Sequence, residues 1–187
     1  MPRSLVIGLS GFVAVGKTTF CRIAQDKYDA QVIEFRQFFQ SELEQRRLAP
    51  TRENLDLVAN DWYARFGRPR LFELLWERAR ERALVVIDSI RTTAAAEWFS
   101  TRSSHSYTSV LIVAPLDERV RRLRARGAAE MSDLSIAGYD DMMRHGGLES
   151  VASGAQYVLD NGRSLVEYEV AVRALLDILC GHRSRHQ

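Results

Sequence analysis

The chain has 187 residues, 46% of them hydrophobic and 27% charged, with a formal net charge of +2. That length and apolar content suit one domain with a buried core and leave no room for two full ones. So balanced a charge argues against a polybasic surface that wraps nucleic acid, and lysine occurs only at Lys17 and Lys27, so nearly all the basic charge is arginine.

The first apolar run, residues 5–9, is too short for a bilayer span, and Gly11 and Lys17 follow too soon for a signal sequence; no later run is long enough to span a bilayer. The expectation is a soluble, cytoplasmic protein with no membrane partner. Residues 5–9 read instead as a strand covered on both faces. Helical spacing follows over 18–28, then a second strand over 31–35. Three helical patterns come next, at 38–48, 52–66 and 69–82. A third strand covers 84–88, a helix 94–100, a fourth strand 107–113 and a helix 116–126. The polar, glycine-bearing stretch 127–154 precedes a weaker fifth strand at 155–159, a helix at 165–179 and a tail, 181–187, that reads as frayed. Strand alternating with helix predicts a three-layer α/β fold with a parallel sheet and right-handed crossovers.

Two stretches break that rhythm. Residues 36–82 read as a helical acceptor-site insertion and 127–154 as a lid, leaving 1–35, 83–126 and 155–180 as the core. Ligands of open α/β sheets bind beyond the carboxyl ends of the strands, where such insertions build covers. Cys21 and Cys180 lie in helical patterns without ligand-like spacing, so both read as buried free thiols and no structural zinc is expected.

Gly11-Phe12-Val13-Ala14-Val15-Gly16-Lys17-Thr18 fits G-x-x-x-x-G-K-[ST] without a mismatch, directly after a buried strand pattern and directly before a helix pattern. The loop must curl so that successive backbone N–H groups face a phosphate, which needs glycine where a side chain would block the approach. The helix beginning at Thr18 and Thr19 adds its amides and dipole. Lys17 supplies a cation for the β- and γ-phosphates of ATP, and the Thr18 hydroxyl a ligand for Mg²⁺. The interior Phe12-Val13-Ala14-Val15 is unusually apolar for such a loop. Asp88 ends the third strand, where a carboxylate would hold Mg²⁺ directly or through water. No second acid follows it in the sequence, which favours transfer to an acceptor over hydrolysis. Arg119, Arg121, Arg122, Arg124 and Arg126 crowd one helix. Arg122 and Arg126 share a face and lean towards phosphate chemistry, while Arg121 and Arg124 read as a solvated surface.

On these residues the chain resembles the P-loop nucleotide kinases: the nucleoside monophosphate kinases, adenylate-kinase-like proteins and dephospho-CoA-kinase-like proteins. Besides the phosphate loop, the resemblance rests on Pro50-Thr51-Arg52-Glu53-Asn54-Leu55, Val86-Ile87-Asp88-Ser89-Ile90-Arg91, Arg119/Arg122/Arg126-Gly127 and Asn161-Gly162. It implies a sheet of order 2-3-1-4-5, an acceptor-binding helical insertion after strand two and an arginine-bearing lid. By the same resemblance Arg91 contacts phosphate, Arg122 and Arg126 flank the adenine and phosphates, and Asn161 lies in the turn near the base. The chain departs from that pattern at Ser89, where a glycine is usual, and at Gly127-Ala128-Ala129. It departs also at Arg36-Gln37-Phe38-Phe39, where the arginine comes three residues early, so Arg36 or Arg52 serves as the acceptor arginine. The implied activity is ATP- and Mg²⁺-dependent phosphoryl transfer to a small nucleotide-type acceptor. Dephospho-CoA kinase and a nucleotide-sensing regulatory NTPase are the alternatives, and RNA association through the arginine helix is a weaker one.

Overall fold

Residues Leu5–Ser10 are buried at every position and form β1, the centre of the sheet. The computed structural model describes residues 5–102, 106–126 and 133–184; residues 1–4, 103–105, 127–132 and 185–187 lie outside the described set. In chain order the strands are β1, β2 (Gln31–Glu34), β3 (Leu84–Asp88), β4 (Ser106–Val113) and β5 (Tyr157–Asp160). All neighbours pair in parallel, in the order β2-β3-β1-β4-β5, which is the order that the family resemblance implies. Both faces of this sheet are covered, which is why its strands read as continuous apolar runs and not as alternating ones.

On one face Leu5, Ile7 and Leu9 of β1 and Leu84 and Val86 of β3 pack against α1 (Lys17–Tyr28) and α9 (Leu165–Ser184), through Phe20, Ile23, Tyr168 and Leu176 among others. On the other, Val6, Val85 and Ile87 meet α2 (Phe35–Gln45), α3 (Arg52–Phe66), α4 (Arg68–Glu77) and α5 (Thr93–Arg102). A third, smaller cluster joins Ala14 of the phosphate loop to Val120 and Leu123 of α6 (Leu116–Ala125) and Ile136 of α7 (Asp133–Met143). A kinked turn over Arg144–Leu148, with Gly147 at the non-helical φ of 103°, and α8 (Glu149–Ser153) lead from α7 back to β5.

Four local expectations change. Helix α2 starts at Phe35 and not at residue 38, because the Phe35 ring leaves the strand direction to pack edge-on against Phe72 and Phe99. The described part of 127–154 is helical, with Ile136, Met143, Leu148 and Val151 buried beneath its polar surface. Helix α9 runs on to Ser184, so the helix takes in 181–184 of the expected frayed tail. Cys21 is a fully buried free thiol, whereas Cys180 is only half-buried.

Candidate active site

At the carboxyl end of β1 the chain turns through Gly11, Ala14 and Gly16, all with positive φ (135°, 60° and 111°), before α1 begins. Gly16 has a second reason to be glycine: a Cβ there would lie 2.3 Å from Asn161 Nδ2 and 3.0 Å from the Tyr168 ring. That crowding belongs to the way the loop is held. Its six consecutive carbonyls, from Gly11 to Gly16, each accept a hydrogen bond from a side chain. Lys17 Nζ donates to Gly11 O and Phe12 O, both at 2.8 Å. Arg119 Nη1 donates to Val13 O and Arg122 Nη1 to Ala14 O, each at 3.3 Å. Asn161 Nδ2 donates to Val15 O at 2.7 Å and the Tyr168 hydroxyl to Gly16 O at 3.1 Å. In a trans peptide the C=O and the following N–H point opposite ways. The carbonyls of residues 13–16, taken by Arg119, Arg122, Asn161 and Tyr168, therefore leave the amides that follow them on the opposite side, an arrangement that can bind an anion.

The buttress is itself braced. Arg122 also donates to Asn161 O (2.7 Å), to Asn161 Oδ1 (3.1 Å) and to Glu118 (3.0 Å). Arg119 is buried and forms a two-pronged ion pair with Asp140 of α7, one prong being Nη1 to Oδ1 at 3.0 Å. Burial lowers the Lys17 pKa to about 8; the Asp88 carboxylate opposes that shift and the Arg91 charge adds to it. Lys17, Asp88 and Arg91 are thus electrically coupled at one place. Thr18 is exposed at the loop mouth, with Thr19 half-buried behind it.

Opposite the loop, Asp88 ends β3 in direct register with Glu34, the last residue of β2. Two half-buried carboxylates thus stand side by side at the sheet edge, and burial together with the Asp88 charge raises the Glu34 pKa. Ser89 has φ 69° and donates its hydroxyl to Asp88 Oδ1 at 2.9 Å. That left-handed backbone explains why glycine is usual at this position in the kinases the chain resembles. Arg91 is exposed just beyond, with its carbonyl near the kink at Gly147. Across the cleft the Arg68 guanidinium lies 4.3 Å from the Tyr63 ring centroid, and the Arg68 and Arg91 charges both act on the Tyr63 hydroxyl.

The structure therefore brings Gly11, Val13, Ala14, Val15, Gly16, Lys17, Arg122 and Asn161 into one unit. Asn161, expected near a base, is placed beneath the loop as a buried support, and Arg122 holds the loop together with it. Arg126 is exposed after the end of α6, and Arg36 is exposed on the first turn of α2. Arg52 opens α3, and its side chain lies outside the described set, as does the first part of the lid, 127–132. Sequence reasoning missed Glu34, Arg68, Tyr168 and the Arg119–Asp140 pair. Only Glu34 had a local signal, since like Asp88 it is an acid at the end of an apolar strand run.

No family model matches the chain. A UPF0200 protein of Methanosarcina acetivorans is 30% identical over 127 residues, covering 67% of this chain and 67% of that protein. The chain belongs to the UPF0200 family. A second UPF0200 protein, from Aeropyrum pernix, is 26% identical over 186 residues, covering 96% of this chain and 97% of its own. Among solved structures, the UPF0200 chain is similar to shikimate kinase from Bacteroides thetaiotaomicron (16% identity, TM-score 0.61, covering 94% of this chain and 98% of that one). It is similar also to a gluconokinase from Sinorhizobium meliloti 1021 (14% identity, TM-score 0.59, 98% of each chain). At these identities the likeness concerns the fold, which is that of the P-loop kinases. Among the described residues no helix of the UPF0200 chain is long and apolar enough to cross a membrane.

Proposed function

We propose that this protein is an ATP- and Mg²⁺-dependent phosphotransferase that passes the γ-phosphate to a small nucleotide-type acceptor. The observation that carries the reading is the set of six side-chain-held carbonyls over residues 11–16, those of 13–16 taken by Arg119, Arg122, Asn161 and Tyr168, which would leave the loop amides at the start of α1 to face a phosphate. Lys17 would release Gly11 O and Phe12 O to meet the β- and γ-phosphates. Thr18 and Asp88 would hold Mg²⁺, which supplies neutralisation of phosphate charge. Arg91, exposed beyond Asp88 and with its carbonyl near the kink at Gly147, would receive the phosphate as it moves towards the acceptor side. Arg122 and Asn161 act on the loop, and Arg36, Arg52 and Arg126 remain candidates for the acceptor and lid contacts. The protein works as a soluble, cytoplasmic enzyme in this reading.

Glu34 favours one acceptor chemistry. A phosphate acceptor arrives as an anion and would be repelled by two adjacent carboxylates, whereas a hydroxyl acceptor must lose a proton and profits from a second acid. The dephospho-CoA-kinase-like alternative, in which a hydroxyl is phosphorylated, is therefore the second reading that the geometry supports.

The test is ADP release by the wild type and Lys17→Ala over a panel of nucleoside monophosphates, deoxynucleotides and dephospho-CoA. Stimulation by one acceptor, lost about a thousandfold in Lys17→Ala at an unchanged melting temperature, is the expected result. Turnover that ignores every acceptor, or that survives loss of Lys17, overturns the reading; tight ATP binding without turnover would point to a nucleotide sensor.

A further inference from the structure

Phe12 is the residue of the phosphate loop that the nucleotide reading leaves without a task. It is the second residue of the motif, where a small side chain would serve the backbone equally well. Its ring is only partly buried, and two guanidinium groups lie over it: Arg119 at 5.2 Å and Arg144 at 5.1 Å from the ring centroid. The two are not equivalent. Arg119 is fixed by its buried ion pair with Asp140 and by Val13 O. Arg144 is 42% exposed and opens the kinked turn, held by surface contacts to Asp141 and, at 3.7 Å, to Glu149. Such surface pairs are worth little and exchange readily. Three residues on, Gly147 takes φ 103° and packs near the backbone of Arg91 and Thr92. The turn that carries Arg144 thus reaches from Phe12 on the donor side to Arg91 on the acceptor side.

The geometry points to Phe12 as a positioning residue whose ring holds the Arg144 guanidinium at the mouth of the phosphate loop, and to Arg144, not Arg122 or Arg126, as the cation that swings onto the transferring phosphate. The face of an aromatic ring attracts a guanidinium without neutralising it, so Phe12 keeps Arg144 beside the loop while its exposed pairs with Asp141 and Glu149 are given up to the phosphate. This inference rests on the phosphotransferase reading, and it deepens it by naming a residue that acts only as the phosphate moves.

The test needs no knowledge of the acceptor. Binding of a fluorescent ADP analogue is measured with Mg²⁺ alone and with Mg²⁺ and aluminium fluoride, which with ADP mimics the phosphoryl group in transit. The wild type should bind at least tenfold tighter with the fluoride. Arg144→Ala should keep the affinity for the ADP analogue alone and lose that enhancement. Phe12→Leu should lose most of it, and Phe12→Tyr, which keeps the ring, should retain it. In an Arg144→Ala background Phe12→Leu should cost nothing further, because the ring acts through the arginine. Lys17→Ala serves as the reference for the site itself. If the wild type fails to bind the ADP analogue, or binds it independently of Lys17, the phosphotransferase reading falls. If binding depends on Lys17 but fluoride gives no enhancement, or the enhancement survives Arg144→Ala, only the present inference falls. Equal losses in Phe12→Leu and Phe12→Tyr, or additive losses in the double variant, would reduce Phe12 to a packing residue.

Discussion

The two sides of the proposed site are built by different forces. The proposed donor wall is a loop of six residues pinned by directional hydrogen bonds from Lys17, Arg119, Arg122, Asn161 and Tyr168. The proposed acceptor wall, α2 to α4 with α5 packed against it, is held by rings: Phe38 and Trp62 meet at 5.3 Å, Phe39 and Tyr63 at 5.5 Å, and Phe72 and Phe99 at 5.5 Å, most such pairs close to edge-on. Hydrogen bonds fix orientation to within a few tens of degrees, which a backbone cradle for phosphate requires. Ring contacts bury large apolar area, so helices held by them owe their stability to packing and not to polar partners. Under the proposed function, the difference puts the geometry for phosphate in the hydrogen-bonded loop and leaves acceptor contacts to the ring-packed helices.

The comparison predicts that damage to each wall has a different signature. Trp62 is buried, with Phe38, Tyr63 and Phe66 around it. Trp62→Ala should cost about 3–5 kcal/mol of stability through the cavity it leaves. Affinity for the fluorescent ADP analogue, measured well below the melting temperature, should not change. A parallel fall in that affinity would show that the walls are one unit and break the comparison. Asn161→Ala should do the reverse. It strips Val15 O of its side-chain partner and Arg122 of one acceptor, for about 1–3 kcal/mol of stability. Because the loop then loses its set, nucleotide affinity should fall about tenfold as well. Chemical denaturation and nucleotide titration on the same samples measure both; Asn161→Ala with unchanged affinity would remove Asn161 from the loop's support.

The same contrast explains what the sequence could reveal. The strands were legible because a sheet covered on both faces needs runs such as 84–88, and the phosphate loop because its chemistry is written in eight adjacent residues. The buttress was not legible. Asn161 and Tyr168 reach the loop from 146 and 152 residues away, and Arg119 meets Asp140 across 21 residues, so no local window contains both partners. Arg119 in particular looks like one of several arginines on a basic helix, and only its position beside Val120 on the inner face separates it from Arg121 and Arg124. The helices of the lid region were hidden for the same reason. Ile136 and Val151 lie among glycines and charged residues, and Ile136 packs with Val120 and Leu123 of α6 while Val151 joins the cluster of α2 to α5, partners that no local window contains.

Lys17 supplies the smallest predicted effect and the sharpest test of the donor wall's electrostatics. Burial lowers its pKa from 10.5 to about 8, while the pKa in the unfolded chain stays near the ordinary value. Below pH 8 the ammonium is charged in both states and its burial costs stability. Between pH 8 and 10.5 the folded protein binds fewer protons than the unfolded chain, so this group's contribution makes stability rise with pH there. Nucleotide binding has the opposite sign. A bound phosphate anion favours the charged ammonium and raises the pKa, so binding above pH 8 must take up a proton. Affinity for ADP should therefore be flat in this respect below pH 8 and weaken above it, by at most about tenfold per pH unit. Calorimetric titration in two buffers of different ionisation enthalpy should register proton uptake at pH 9 and little at pH 7, with both effects gone in Lys17→Arg, which stays charged throughout. Affinity that holds level from pH 7 to pH 9.5 would mean that Lys17 is already charged in the empty loop, and that its hold on Gly11 O and Phe12 O is as strong as its hold on phosphate.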